Sequence, residues 1–272
     1  MKKVLLFSLF LLLVAAAAGG IYLRRFEFAT LYHPSAEIFA TPAHFQLRYQ
    51  EVQFVASDGT PLHGWWIPAN RPRGTVVYCH GNAGNIGSNA HLAPEFFKRG
   101  FHLLLWDYRG YGRSGGRPSE NGFYDDARAA FDAAAAMSGP LPILVYGNSL
   151  GAAVAIQLAA DRPAAALVVE GAFASAADIA RRWYPNFPLA RLLSVSYDSA
   201  AKAAALNAMP KLFGHSTTDE VIPFQSGRIL HAAAAPPKTF VLLSGGHNDS
   251  SWFKPGAAGN AELEAFLGQF ER

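Results

Sequence analysis

The chain has 272 residues, of which 51% are hydrophobic and 16% charged. That balance excludes an intrinsically disordered protein and suffices for one large buried core. The formal net charge is only +3, the basic residues are scattered without interleaved aromatics, and the single cysteine, Cys79, permits no intrachain disulfide. The sequence therefore carries no signature of nucleic-acid binding, and no Cys/His group has zinc-ligand spacing.

Lys2-Lys3 precedes an uncharged apolar run from Val4 to Leu23, which Arg24-Arg25 closes. This matches the roughly 20 residues that a membrane-spanning helix needs. A cleaved signal peptide is the competing reading, with Val4–Val14 as its apolar core and a small-residue cleavage site in Ala15–Ala18. The apolar character continues through Ile21-Tyr22-Leu23, which favours an uncleaved anchor over residues 1–25. With Lys2 and Lys3 inside, the rest of the chain lies outside the cytoplasm. Residues 26–48, with Pro34 and Pro42, read as a linker whose Phe26, Phe28, Tyr32 and Phe39 pack on the domain or at the membrane interface. Residues 49–272 read as the folded domain.

Tyr49–Ala56 and Pro61–Ile67 are strand-like, and Ser57-Asp58-Gly59-Thr60 reads as the hairpin turn between them. Trp65-Trp66 suits packing or an edge cover. From Thr75 the pattern alternates. Thr75–Cys79, Phe101–Trp106, Ile143–Tyr146, Ala165–Glu170, Lys211–Gly214 and Lys238–Leu243 read as strands. Gly87–Arg99, Phe123–Met137, Leu150–Ala160, Pro223–Ala235 and Asn260–Phe270 read as helices. Asn260 is a candidate N-cap, and Phe123, Ala127, Ala130, Phe131 and Ala134 share one helix face. Alternation of this kind predicts a mostly parallel sheet with helices on both faces. The apolar, irregular stretch of about 174–207 reads as a short cap. There is no internal repeat.

In such a sheet, chemistry collects beyond the carboxyl ends of the strands. Gly147-Asn148-Ser149-Leu150-Gly151 stands at a strand-to-helix turn, where a G-x-S-x-G pattern pushes the serine out of the sheet. Serine is a weak nucleophile and needs a base, which in turn needs an orienting acid. His247, in the Gly-rich loop after the last strand, is the base candidate. Asp219, after the preceding strand, is the acid candidate. The order Ser149, Asp219, His247 is the one used by α/β-hydrolases. Asp107 also follows a strand but breaks that order, and Asp249 suits loop structure. The oxyanion donors expected are the Leu150 N–H and, from His80-Gly81-Asn82-Ala83-Gly84-Asn85, that of Asn82, with Ala83 as second choice. No G-x-x-x-x-G-K-[ST] supports a phosphate loop instead.

His80–Asn85, Asp107-Tyr-Arg-Gly-Tyr-Gly-Arg-Ser114, Pro118-Ser-Glu120, Gly147–Gly151 and Gly246-His247 together resemble the Bem46-like group of α/β-hydrolases. That group includes the ABHD13-like and ABHD17-like membrane-associated serine hydrolases. The likeness covers most of Val52–Phe270. It implies an α/β-hydrolase fold and no metal or organic cofactor. One departure is His215-Ser216-Thr217-Thr218-Asp219, where the group commonly has His-Gly-x-x-Asp. The resulting expectation is a membrane-anchored serine hydrolase acting on a carboxylic ester or thioester of a small or acylated substrate. Trp183, Phe187 and Leu192 are candidates to line an acyl site or, equally, to form the ordinary core of the cap. A serine peptidase or amidase, and a non-catalytic membrane-tethered binding module on the same scaffold, are the alternatives.

Overall fold

The computed structural model describes residues 2–249, 252–253, 257 and 259–270. Its centre is an eight-stranded sheet. In chain order the strands are β1 (Gln50–Val55), β2 (Pro61–Ile67), β3 (Gly74–Cys79), β4 (Phe101–Trp106), β5 (Ile143–Asn148), β6 (Ala166–Glu170), β7 (Lys211–Ser216) and β8 (Lys238–Leu243). Across the sheet they run β1-β2-β4-β3-β5-β6-β7-β8. β2 is antiparallel to both of its neighbours, and the remaining adjacent pairs are parallel. Strands β3, β6 and β7 are buried along their whole length. Parallel strands covered on both faces favour near-continuous apolar runs, as in β3 and β6, whereas β7 also buries Lys211, His215 and Ser216. The edge strands β1 and β8 are partly exposed instead.

The helices are α1 (Lys2–Leu31), α2 (Ala93–Lys98), α3 (Glu120–Ser138), α4 (Leu150–Asp161), α5 (Ala176–Trp183), α6 (Ser199–Ala205), α7 (Phe224–Ala233) and α8 (Asn260–Gly268). α3, α4, α6 and α7 cover one face of the sheet, and α2 and α8 cover the other. Successive strand residues point to opposite faces, so Trp66 joins the first core and Trp65 the second. Both indoles are packing groups, buried to 4% and 0% exposure. This is an α/β-hydrolase fold, with β3 at the point where the chain reverses its direction of winding across the sheet.

Three local expectations differ from the structure. The predicted helix Gly87–Arg99 is split into a tight 3-10 stretch, Ile86–Leu92, followed by α2. The Asn85 side chain accepts the Gly87 N–H at 2.8 Å and starts the tight turn, and Pro94 starts the α-helix proper. Asn260 is not an N-cap: Gly259 holds that position, and the Asn260 amide donates to the Trp252 carbonyl at 2.8 Å. Finally, α1 does not stop at the Arg24-Arg25 pair but continues to Leu31. Phe28, Leu31 and Tyr32 pack against the first core, so burial carries the helix past its charges.

Between β6 and β7, residues 174–207 hold α5, a 3-10 turn (Pro188–Arg191) and α6. Glu120 joins this region to the body. It accepts from the Ser196 N–H at 2.6 Å and the Tyr197 N–H at 2.7 Å.

Candidate active site

The turn between β5 and α4 is forced by its glycines. A Cβ on Gly147 would lie 2.3 Å from the Gly151 carbonyl, and one on Gly151 would lie 2.0 Å from that of Cys79. Both clashes are with backbone, which cannot swing aside. Ser149 pivots between them at φ 55°, ψ −120°, a conformation disfavoured for any residue with a side chain. Its N–H donates to Glu170 O at 2.9 Å. The side chain is thereby lifted off the sheet into a pocket while remaining 7% exposed.

Two other strand ends deliver its partners. His247 follows β8, and its Nε2 lies 2.9 Å from Ser149 Oγ. Asp219 follows β7, and its Oδ2 lies 2.8 Å from His247 Nδ1. The Val221 and Ile222 N–H groups donate to Asp219 Oδ1 at 2.9 and 2.7 Å. Burial opposes the charge on Asp219, but the contact with His247 and these two donors outweigh it and hold the carboxyl below its ordinary range. An ionised Asp219 only accepts, so Nδ1 carries the imidazole proton and Nε2 is left to accept from the Ser149 hydroxyl. His215 lies 3.4 Å from the same carboxylate oxygen. Burial pushes its ring below the ordinary histidine value, so it is neutral near pH 7 and donates to Ile222 O at 2.9 Å.

The serine that departs from the family pattern has a definite place. Ser216 Oγ donates to Gly245 O at 2.5 Å and accepts the Thr218 N–H at 3.2 Å. It thus ties the loop of Asp219 to the loop of His247.

Asp107 lies elsewhere. Its Oδ1 accepts the Ile86 N–H at 2.8 Å, and its carboxylate faces His80 and His63 at 3.6 and 4.0 Å. It pins the loop after β3 and does not touch His247. Two tyrosines of that motif do the same work. The Tyr108 and Tyr111 hydroxyls donate to the carbonyls of His80 and Asn82 at 2.9 and 2.8 Å. Arg109 grips Asp126 and Asp58. The two tyrosines thus hold the loop after β3, while Arg109 ties its own segment to α3 and to the turn before β2.

Asn82 and Leu150 line the pocket with Ser149. Ala83 is instead exposed and pairs with His33 in a short parallel bridge, His33–Pro34 against Ala83–Gly84. The rest of the pocket wall is mostly apolar. Phe173, Ile179, Trp183, Leu189, Leu193, Tyr197 and Ile222 contribute to it. Of the three cap residues expected to line an acyl site, Trp183 does so. Phe187 and Leu192 are 53% and 40% exposed and lie outside it, because the 3-10 turn aims Leu189 inward in their place.

Phe26, Glu27, Thr30 and Leu31 of α1, in the stretch expected to be a linker, also line the pocket. The available signal was their helical spacing, together with a lone acid, Glu27, just past an apolar helix.

A strand order of this kind, with a serine on a strained turn bonded through histidine to a carboxylate, defines the α/β-hydrolase class. Comparison with known proteins narrows it. The Hydrolase_4 family, described as serine aminopeptidase, S33, matches residues 70–198. The uncharacterized protein Rv2307c of Mycobacterium tuberculosis is 38% identical over 244 residues, covering 87% of this chain and 86% of that protein. The lysophosphatidylserine lipase ABHD12 of Macaca fascicularis is 34% identical over 184 residues, covering 61% of this chain and 46% of the lipase. The Pyrococcus furiosus esterase Pf2001 shares the fold, with a TM-score of 0.69 at 19% identity over 88% of this chain and 97% of the esterase. The chain belongs to the ABHD-like α/β-hydrolase family, and it is a hydrolase. The finer likeness to ABHD13-like or ABHD17-like members stays a resemblance.

Proposed function

We propose that the protein is a membrane-anchored serine hydrolase that cleaves carboxylic ester or thioester bonds of acylated substrates. The observation that carries this reading is the unbroken hydrogen-bonded line Ser149–His247–Asp219 at the base of an apolar pocket. Ser149 Oγ attacks the acyl carbon while His247 Nε2 takes its proton. Asp219 keeps the ring in register and stabilises the imidazolium. The Leu150 and Asn82 N–H groups bind the oxyanion. The ester bond then breaks, and the leaving alcohol or thiol takes the proton from His247. Water, deprotonated by the same nitrogen, attacks the acyl-enzyme and releases the acid.

The lipase name of one relative and the apolar lining both favour an acyl-lipid ester over a peptide. An aminopeptidase needs an anion free to meet the substrate's ammonium. Glu27, the acid among the described lining residues, is already engaged by Ser194, Val195 and Arg24. Residues 1–25 supply the anchor, residues 26–48 lead from it into the fold with Phe26–Leu31 also walling the pocket, and residues 49–272 form the hydrolase domain with its cap at about 174–207. With Lys2 and Lys3 in the cytoplasm, the hydrolase domain lies outside it.

Labelling with a fluorophosphonate probe tests the reading. The unmodified protein should label, and Ser149→Ala and His247→Ala should not. Undiminished ester hydrolysis by Ser149→Ala would refute it. Matched ester and amide substrates separate the esterase from an amidase.

A further inference from the structure

α1 enters the folded domain as one continuous helix. Its apolar part is exposed, with none of its most apolar window buried. Its final turns then form a wall of the pocket through Phe26, Glu27, Thr30 and Leu31. At 3.6 residues per turn these positions share one face.

The wall is fastened. Glu27 accepts from the Ser194 N–H at 2.7 Å, the Ser194 hydroxyl at 2.5 Å and the Val195 N–H at 3.3 Å. Arg24 donates both to Glu27 at 2.9 Å and to Leu192 O at 3.0 Å. The Tyr32 and Tyr197 hydroxyls bond at 2.9 Å. One residue later, the His33 N–H donates to Asn82 O at 2.9 Å. The polar groups of the wall are consumed in these contacts, and the Thr30 hydroxyl donates back to Phe26 O at 2.9 Å. What faces the pocket is hydrocarbon.

The heights also agree. At 1.5 Å per residue, Val4–Leu23 measures roughly 30 Å, the thickness of a bilayer's hydrocarbon core. Arg24 and Arg25 then stand at the headgroup level, and Leu31 lies only roughly 10 Å beyond it. On the cap beside this level, Trp183, Tyr184, Phe187 and Leu192 are exposed, and Phe26 meets Tyr184 edge-on at 6.4 Å. Arg181 and Arg191 are interleaved with them and also exposed. Exposed aromatic rings among arginines, continuous with an apolar helix, suit the lipid headgroup region.

We propose that α1 and the cap form a pocket mouth lying on the bilayer, and that the acyl chain of a membrane-resident ester enters there. It runs along Phe26, Thr30 and Leu31 on one side and Ile179, Trp183 and Leu193 on the other, with its carbonyl at Ser149. This rests on the serine-hydrolase reading above and adds the substrate's source and route. The anchor helix is then part of the acyl site as well as a tether.

The test uses the full-length protein in phosphatidylcholine vesicles and a hexadecyl fluorophosphonate carrying a mid-chain diazirine. Reaction fixes the phosphonate on Ser149, and irradiation marks what lies along the chain. Cross-links are expected in Phe26–Leu31 and in the 179–193 segment. Thr30→Trp should lower the ratio of hexadecanoyl to butanoyl nitrophenyl ester hydrolysis by about tenfold or more. Leu12→Trp, on the part of the helix remote from the pocket, should leave that ratio within about twofold. Labelled Ser149 with cross-links confined to other segments, or an unchanged ratio in Thr30→Trp, would overturn the route. No labelling of the unmodified protein would overturn the serine-hydrolase reading instead.

Discussion

Replacing Asp219 by asparagine separates a positioning acid from one that merely fills space. Asp219 Oδ1 accepts two backbone N–H groups, from Val221 and Ile222. An asparagine must keep its carbonyl oxygen there, because an amide NH2 would face two donors. The NH2 then takes the place of Oδ2, 2.8 Å from His247 Nδ1. Nδ1 must become the acceptor, and the ring proton moves to Nε2. That nitrogen now donates to Ser149 instead of accepting from it. Asp219→Asn should therefore lower kcat/KM by about 10⁴-fold, or roughly 5 kcal/mol of transition-state stabilisation, with little loss of fold. Nitrophenyl butanoate hydrolysis by the full-length protein in detergent measures it, with circular dichroism as the control for folding. Asp107→Asn is the partner experiment. It keeps a carbonyl oxygen for the Ile86 N–H, and the folded protein should stay within about tenfold of full activity. Asp219→Asn keeping more than about a tenth of the activity, or Asp107→Asn being the variant that loses it, would refute this role for Asp219.

Gly151→Ala would put a methyl group 2.0 and 2.3 Å from the carbonyl oxygens of Cys79 and His80. It should cost about 3 kcal/mol or more and lower Tm by roughly 6–12 °C in calorimetry. Ser216→Gly removes the tie between the Asp219 and His247 loops and should cost about 1 kcal/mol in urea unfolding, with a smaller loss of kcat than Asp219→Asn. Burial opposes the charge on Glu27, but Ser194, Arg24 and Val195 outweigh it and hold the carboxyl below its ordinary value of 4.5. A lowered folded-state value means that this contribution to stability is complete above the unfolded value and fades as pH falls through the folded one. Acid should thus release α1 from the cap, read as rising protease sensitivity at residues 192–195. In Glu27→Gln that part of the pH dependence should be absent.

The strands and their loops were legible because most central strands are short apolar runs ended by glycine or polar residues. β2 and β8 fall at their expected limits, Pro61–Ile67 and Lys238–Leu243. The serine turn was legible because two glycines must stand where backbones touch. What failed depends on contacts between distant segments. Arg24-Arg25 reads locally as the end of a helix, yet Leu31 and Tyr32 find a core to join and extend it. Phe187 and Leu192 have the right chemistry for an acyl site, but the turn at Pro188–Arg191 directs other side chains inward. Asp107 follows a strand as an acid partner would, but its place before Ser149 already argued against that role, and its bond to the Ile86 N–H shows what it does instead.

Ser149 holds a positive φ that its side chain makes unfavourable, at a cost of about 1–3 kcal/mol. Glycine at 149 would adopt those angles without penalty. Stability alone would therefore favour an inert protein over a working one at this position. Selection for the reaction has to act against that drift in every generation, and a lineage released from it could lose its nucleophile while gaining robustness.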